Sequence, residues 1–231
     1  PATPNVPSGA SAFYYETDTT HFFGWTGSGW QQIDVGSSAG TPPTIVQSGI
    51  DSSGIASLTL GAPPTNGNLL VAMTFNPSTA SPGSGWTAKD GNSSGTDFGQ
   101  IFTKTAGASE SATQTPLGSS PGGTGLICMW EIHGQGATPY IAGASQPETS
   151  GASNASPVFP NITNVLALGA VSLVSSPTIT SFLNMTQDQL TNSGNRRGAM
   201  GHSTALTAIA GTISIFSGSG SAKSAVCLIT A

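Results

Sequence analysis

The sequence predicts an all-β protein built as two antiparallel sheets packed into a sandwich. Three observations carry that prediction. Runs of β-branched, aliphatic and aromatic residues recur along the chain, each bounded by Gly, Pro, Asn or Ser clusters. No window of about 11 residues combines a helical apolar period with capping residues. Glycine supplies 31 of the 231 residues, nearly twice the roughly 7% of an average chain, which suits a fold made of many turns.

Residues 1–11 are mostly Pro, Ser, Gly and Ala and read as an extended arm. From Ala12 to Ile33, three aromatic or β-branched runs are separated by Asp18-Thr19-Thr20 and Gly27-Ser28-Gly29. Turn residues between strand formers read as a small β-meander. Its aromatics are Phe13, Tyr14, Tyr15, Phe22, Phe23, Trp25 and Trp30. They exceed what two or three short strands can bury alone, so they are expected to form an assembly interface with the rest of the chain or with another copy. Residues 36–43 are a linker by composition. Three segments result: an arm at 1–11, a meander and linker at 12–40, and a sandwich domain at 41–231.

Within the third segment the expected strands are 44–48, 55–60, 68–75, 98–105, 126–133, 165–174, 204–216 and 225–230. Leu69-Leu70-Val71-Ala72-Met73 is apolar throughout, as in a strand covered on both faces. Residues 181–190 are the thinnest candidate for a turn of helix. Eight strands with long polar connections predict a jelly-roll-like sandwich. The connections at 76–85, 106–125 and 134–157 are long enough to expect function in them.

Charged residues are 6% of the chain, against about 25% in ordinary soluble proteins. Hydroxyls, amides and backbone must cover the surface instead. Hydrophobics still reach 36% and the net charge is only −5, so a packed core is expected rather than disorder. Extracellular appendages tolerate low charge because they are fixed in an assembly. Lys89, Lys104, Arg196, Arg197 and Lys223 are the cations, too few for a nucleic-acid footprint. No apolar run approaches the roughly 18 residues of a membrane helix, so no membrane insertion is expected. The chain starts at Pro1 with no visible signal peptide, as expected of a processed chain or a piece of a longer one. Cys128 and Cys227 lie in apolar runs and read as small buried hydrophobes, with a disulfide between paired strands as the alternative.

Catalytic chemistry finds little support. G-x-S-x-G occurs at 36–40, 91–95 and 118–122, and none leads into a helix as a nucleophile elbow requires. Ser120 is followed by Pro121, which has no N–H for an oxyanion hole, and no His lies downstream of Ser203. Glu131 and His133 share one face of an expected strand, opposite Trp130 and Ile132. Such a pair can do acid–base work, but a wet strand face or a buried structural hydrogen bond is favoured. Glu16 and Asp18 sit at a turn and read as solvated, so the paired carboxylates of a glycosidase are not placed. His21, His133 and His202 are scattered without zinc-type spacing. Asp90 to Gly95 partly matches a calcium loop, but Ile101 stands where the bidentate Glu belongs, and a polar turn is favoured. No catalytic residue, metal or cofactor is therefore expected. Trp86, after a Gly-rich loop, and Tyr140, inside one, are candidate glycan contacts, with Trp25 and Trp30 beside them. The alternative is that the three tryptophans close the ends of the sandwich. Arg196 and Arg197 are candidates to dock a carboxylate of a partner or glycan, the alternative being a solvated loop tip.

Two stretches carry resemblances. Tyr14-Tyr15, then Thr17-Asp18-Thr19, an aromatic strand and Trp25-Thr26-Gly27-Ser28-Gly29-Trp30 resemble a short module repeated in bacteriophage tail fibres and other virion appendages. This covers about a tenth of the chain. Further on, Pro64-Thr65-Asn66-Gly67-Asn68-Leu69-Leu70-Val71-Ala72, Gly85-Trp86-Thr87, Phe102-Thr103-Lys104-Thr105-Ala106 and Trp130-Glu131-Ile132-His133-Gly134 resemble a domain of phage and prophage structural proteins. That resemblance spans about 44–231 and implies a jelly-roll-like sandwich without known catalysis. Together they imply a structural, non-enzymatic subunit on the virion: a fibre, spike or capsid decoration. Implied partners are sister chains (a homotrimer, as fibres commonly are), other virion proteins and a host surface glycan. The alternative is a secreted carbohydrate-binding module, monomeric and with its aromatics on one exposed face.

Overall fold

The computed structural model describes residues 13–16, 21–25, 30–32, 42–92, 98–120, 125–137, 139–145, 149–150, 153–155, 165–173, 185–191, 196–203, 214–217 and 221–230. Every regular element among them is a β-strand, and every strand pairs antiparallel. The chain divides into two compact units, 1–40 and 41–231. In the first, β1 (Phe13–Glu16), β2 (His21–Trp25) and β3 (Trp30–Gln32) form a three-stranded meander. Tyr14 stands opposite Phe23, Tyr15 opposite Phe22 and Trp25 opposite Trp30 in the register.

The second unit begins with β4 (Thr44–Asp51), β5 (Leu58–Thr59), β6 (Leu69–Asn76), β7 (Thr87–Asn92), β8 (Phe98–Thr105), β9 (Thr113–Gln114) and β10 (Leu126–His133). It continues with β11 (Tyr140–Ser145), β12 (Thr149–Ser150), β13 (Ser153–Ala155), β14 (Val165–Leu173), β15 (Thr186–Thr191), β16 (Arg197–Ser203), β17 (Ser214–Ser217) and β18 (Ser221–Thr230). One sheet has the order β4-β10-β6-β8-β7, and the other β11-β18-β14-β16-β15 with β12 also on β18. The short pairs β5-β9 and β13-β17 stand apart from both. Each large sheet thus takes its strands from one half of the unit.

Side-chain alternation explains the packing. Leu69, Val71, Met73 and Phe75 of β6 point to one face. There they join Cys128 and Trp130 of the same sheet and Leu166, Leu168, Met200, Cys227 and Ile229 of the other in a single apolar cluster. Leu70 and Ala72 point to the opposite face and pack with Leu58, Leu60, Trp86, Phe102, Leu117, Ile127 and Met129 in a second cluster. All of β6 is therefore buried, as its unbroken apolar run predicts. Each Leu, Phe or Met so buried contributes about 1.5–3 kcal/mol relative to exposure.

The sequence reading matches β8 and β10 at their bounds. It overextends 55–60, where only Leu58–Thr59 is strand. It does not foresee β7 (TAKDGN) or β15 (TQDQLT). Both are edge strands, where one rim of backbone is unpaired and a continuous apolar face is not required. The candidate helical turn at 181–190 is strand from Thr186 onward, and 204–213 lies outside the described residues. Cys128 and Cys227 are buried free thiols, and burial pushes both pKa values up, with Asp90 adding to the rise at Cys227.

Candidate functional site

Glu131 stands at the centre of a polar cluster on the second-cluster face of β10. It has no exposed surface, and it faces Gln47 of β4 and Leu70 of β6 in the register. Its Oε1 accepts from the Thr65 backbone N–H at 2.8 Å and from Asn68 Nδ2 at 2.6 Å, and its Oε2 accepts from Gln47 Nε2 at 2.5 Å. Burial alone would raise its pKa, but the donors of Gln47, Thr65 and Asn68 outweigh burial and hold it below the ordinary carboxylate range. Asn68 spends its amide N–H on Glu131, so its Oδ1 is left to accept. His133 Nδ1, 3.1 Å away, must then carry the proton of that bond. Gln47 also clasps the loop from outside, donating to Ala62 O at 3.0 Å and accepting from Ala62 N–H at 3.1 Å. Gly67, at φ 85°, completes the turn into β6, a conformation that favours glycine. Saturated in this way, Glu131 secures the Pro63–Asn68 turn and has no route to a substrate proton.

A second cluster joins the two large sheets. Asp188 of edge strand β15 accepts from Trp130 Nε1 at 2.8 Å through Oδ2, and its Oδ1 meets His202 Nδ1 of β16 at 2.6 Å. Trp130 is fully buried in the shared core, so its indole N–H needs this partner. The Asp–His pair has the orientation of a general base. Among the described residues, however, no hydroxyl or thiol is hydrogen-bonded to His202. No signal in the sequence pairs Asp188 with His202, because the bulge between Gln187 and Gln189 sets the contact.

The third feature is an open cavity of about 680 Å³, lined by residues of β7 and β8 and by Ala137, Pro139 and Tyr140. Thr87, Thr103 and Thr105 line it, with Lys89, Lys104 and Tyr140. Lys104 Nζ is held at 2.7 Å by Glu110, which also accepts from Gly107 N–H at 3.1 Å and from Gln114 Nε2 at 3.1 Å. Burial raises the Glu110 pKa, but these donors, Lys104 first, outweigh it and leave it lowered. Gly85 closes one wall at φ 78°. A Cβ there would stand 3.3 Å from Lys104 Cε, so the bare backbone leaves room for the lysine stem.

The candidate contacts of the sequence reading separate in the structure. Tyr140 lines the cavity. Trp86 does not: it is 6% exposed and packs inside the second apolar cluster, so its ring is not available to a sugar. Arg196 is buried and donates to Ser172 Oγ at 3.2 Å, which corrects the alternative of a solvated loop tip at that residue. Arg197 opens β16 opposite Leu173, half-buried. The side chains of Phe13, Tyr14, Tyr15, Phe22, Phe23, Trp25 and Trp30 lie outside the described residues, as do 93–95 of the calcium-like stretch. Among the described residues no cluster of acids, His or Cys could hold a metal ion, and no helix is long and apolar enough to cross a membrane. No protein-family model, curated protein or solved structure matches the chain.

Proposed function

We propose that this chain is a structural, non-enzymatic subunit of a bacteriophage particle: a fibre, spike or capsid decoration exposed on the virion. In this reading the meander holds it to sister chains as a homotrimer and to other virion proteins, and the second unit faces outward toward host surface glycan. The observation that carries the reading is the meander. It is a separate unit of three strands, rich in Phe, Tyr and Trp and too small to bury them alone. The jelly-roll-like description of the second unit belongs to the same proposal. Two sheets sharing one core support it, while the strand order, one half of the unit per sheet, is simpler than a jelly roll needs.

Light scattering on a size-exclusion column tests the reading. A stable particle near three times the 23.0 kDa chain is expected. A single-chain mass at every concentration would count against it. The cavity beside Tyr140 favours a second reading, a secreted carbohydrate-binding module, and a monomer that binds soluble glycan would establish that one.

A further inference from the structure

The inner face of the first sheet changes character at one corner. Ile101 of β8 belongs to the shared core, but the next residues on that face are Thr103 and Thr105. Thr87 of β7 stands opposite Thr103, and Lys89 follows it along the same edge. Thr103 is only 6% exposed. Among the described residues none of these three threonine hydroxyls makes a side-chain hydrogen bond. The Thr103 hydroxyl is open to the cavity, where water or a ligand supplies the partner that a buried hydroxyl would lack. Lys89 likewise makes no ion pair among the described residues; its Nζ stands 5.7 Å from the Tyr140 ring centroid.

We propose that this cavity is a saccharide site and that Lys89 meets a carboxylate carried by the sugar. Three uncommitted hydroxyls suit a polyol. Pro139 and the Tyr140 ring give an apolar wall for sugar C–H groups, and about 680 Å³ is a usual size for a small-ligand site. Lys104 has two ammonium protons left after Glu110 and is already oriented to donate them. Because Glu110 neutralises Lys104, the ammonium left without an ion pair among the described residues at the site is Lys89, which stands over the Tyr140 ring with Asp90 beside it in the chain. That favours the single charge of a uronic-type carboxylate over a phosphate dianion. The inference deepens the reading of an outward-facing subunit and rests on it only for where such sugars are met.

The test is calorimetric titration of the full chain with a glucuronic-acid-containing disaccharide, with neutral cellobiose and with inorganic phosphate. The acidic disaccharide is expected to bind saturably and most tightly. Lys89→Gln should weaken it about fivefold and leave cellobiose unchanged, as losing a partly screened ion pair implies. Thr103→Val should weaken both sugars about fivefold, the loss of one hydrogen bond. Lys89 is exposed, so its variant reports even where Thr103→Val perturbs folding, which thermal unfolding checks. No saturable binding of either sugar overturns the proposal, as does acidic-sugar binding indifferent to Lys89→Gln, or phosphate binding the tightest. A chain that trimerises but binds no sugar loses this inference alone, and one that binds sugar as a monomer loses the assembly reading alone.

Discussion

Replacing Glu131 by glutamine removes a buried charge while keeping its volume, and the geometry sets the cost. The glutamine carbonyl can stand at the Oε1 position and keep Thr65 N–H and Asn68 Nδ2. Both bonds then lose their charge assistance, about 1 kcal/mol each. The new NH₂ must occupy the Oε2 position, 2.5 Å from Gln47 Nε2, so donor faces donor. Turning the Gln47 amide over would surrender both of its bonds to Ala62. One buried donor is therefore stranded, at about 1–3 kcal/mol. Relief from burying a charge offsets part of this, but the lowered pKa shows that the hydrogen bonds outweigh burial. The net expectation is about 2–4 kcal/mol, or about 4–16 °C in Tm for a domain of this size. A group with a depressed folded pKa contributes stability above its unfolded pKa and loses it as pH falls through the folded one. The gap between wild type and Glu131→Gln should therefore be full at pH 7 and narrow once pH drops below the ordinary carboxylate range. Thermal unfolding by circular dichroism at pH 7 and at about pH 3 measures both. Equal Tm values at pH 7, or a gap unchanged by acid, would refute the reasoning.

Gly198→Ala should destabilise by about 1–3 kcal/mol, since its Cβ would overlap Leu126 Cδ2; combined with Leu126→Ala in urea unfolding, the total loss should be smaller than the sum of the two single losses. Gly83→Ala should cost more, because the Cβ would meet the Thr115 carbonyl oxygen, and backbone cannot swing aside as a leucine tip does. Trp130→Phe should cost about 1.5–3 kcal/mol by losing the bond to Asp188, and a double-mutant cycle with His202→Gln should be non-additive because both act on one carboxylate. Cys128 and Cys227, buried with raised thiol pKa values, should resist iodoacetamide in the native chain and react fully in denaturant; native labelling at the denatured rate would show that the core is open.

Legibility in the sequence followed how local the cause was. The meander, β6, β8 and β10 are readable because their strand signals are continuous in the chain. The turn at 63–68 and the Trp130–His133 strand are both visible as motifs, but nothing in their spacing says that Asn68 bridges Glu131 and His133. Trp86 and Tyr140 look alike in sequence, one after a Gly-rich loop and the other inside one. Packing sends the first under Phe102 and Met129 and the second to the wall of a cavity. Arg196 and Arg197 read as one pair, yet the structure buries Arg196 and leaves its neighbour half-buried at the start of β16.

The all-β class, the three-stranded aromatic meander and the doubly covered strand at Leu69–Met73 follow from local sequence, because alternation and turn chemistry act over a few residues. Tertiary structure alone decided which strands meet, and hence every polar contact of consequence. Strand pairing brings together residues far apart in the chain, such as Gln47 with Glu131 and Trp130 with Asp188. A register shift of one residue would have sent each of them to the opposite face.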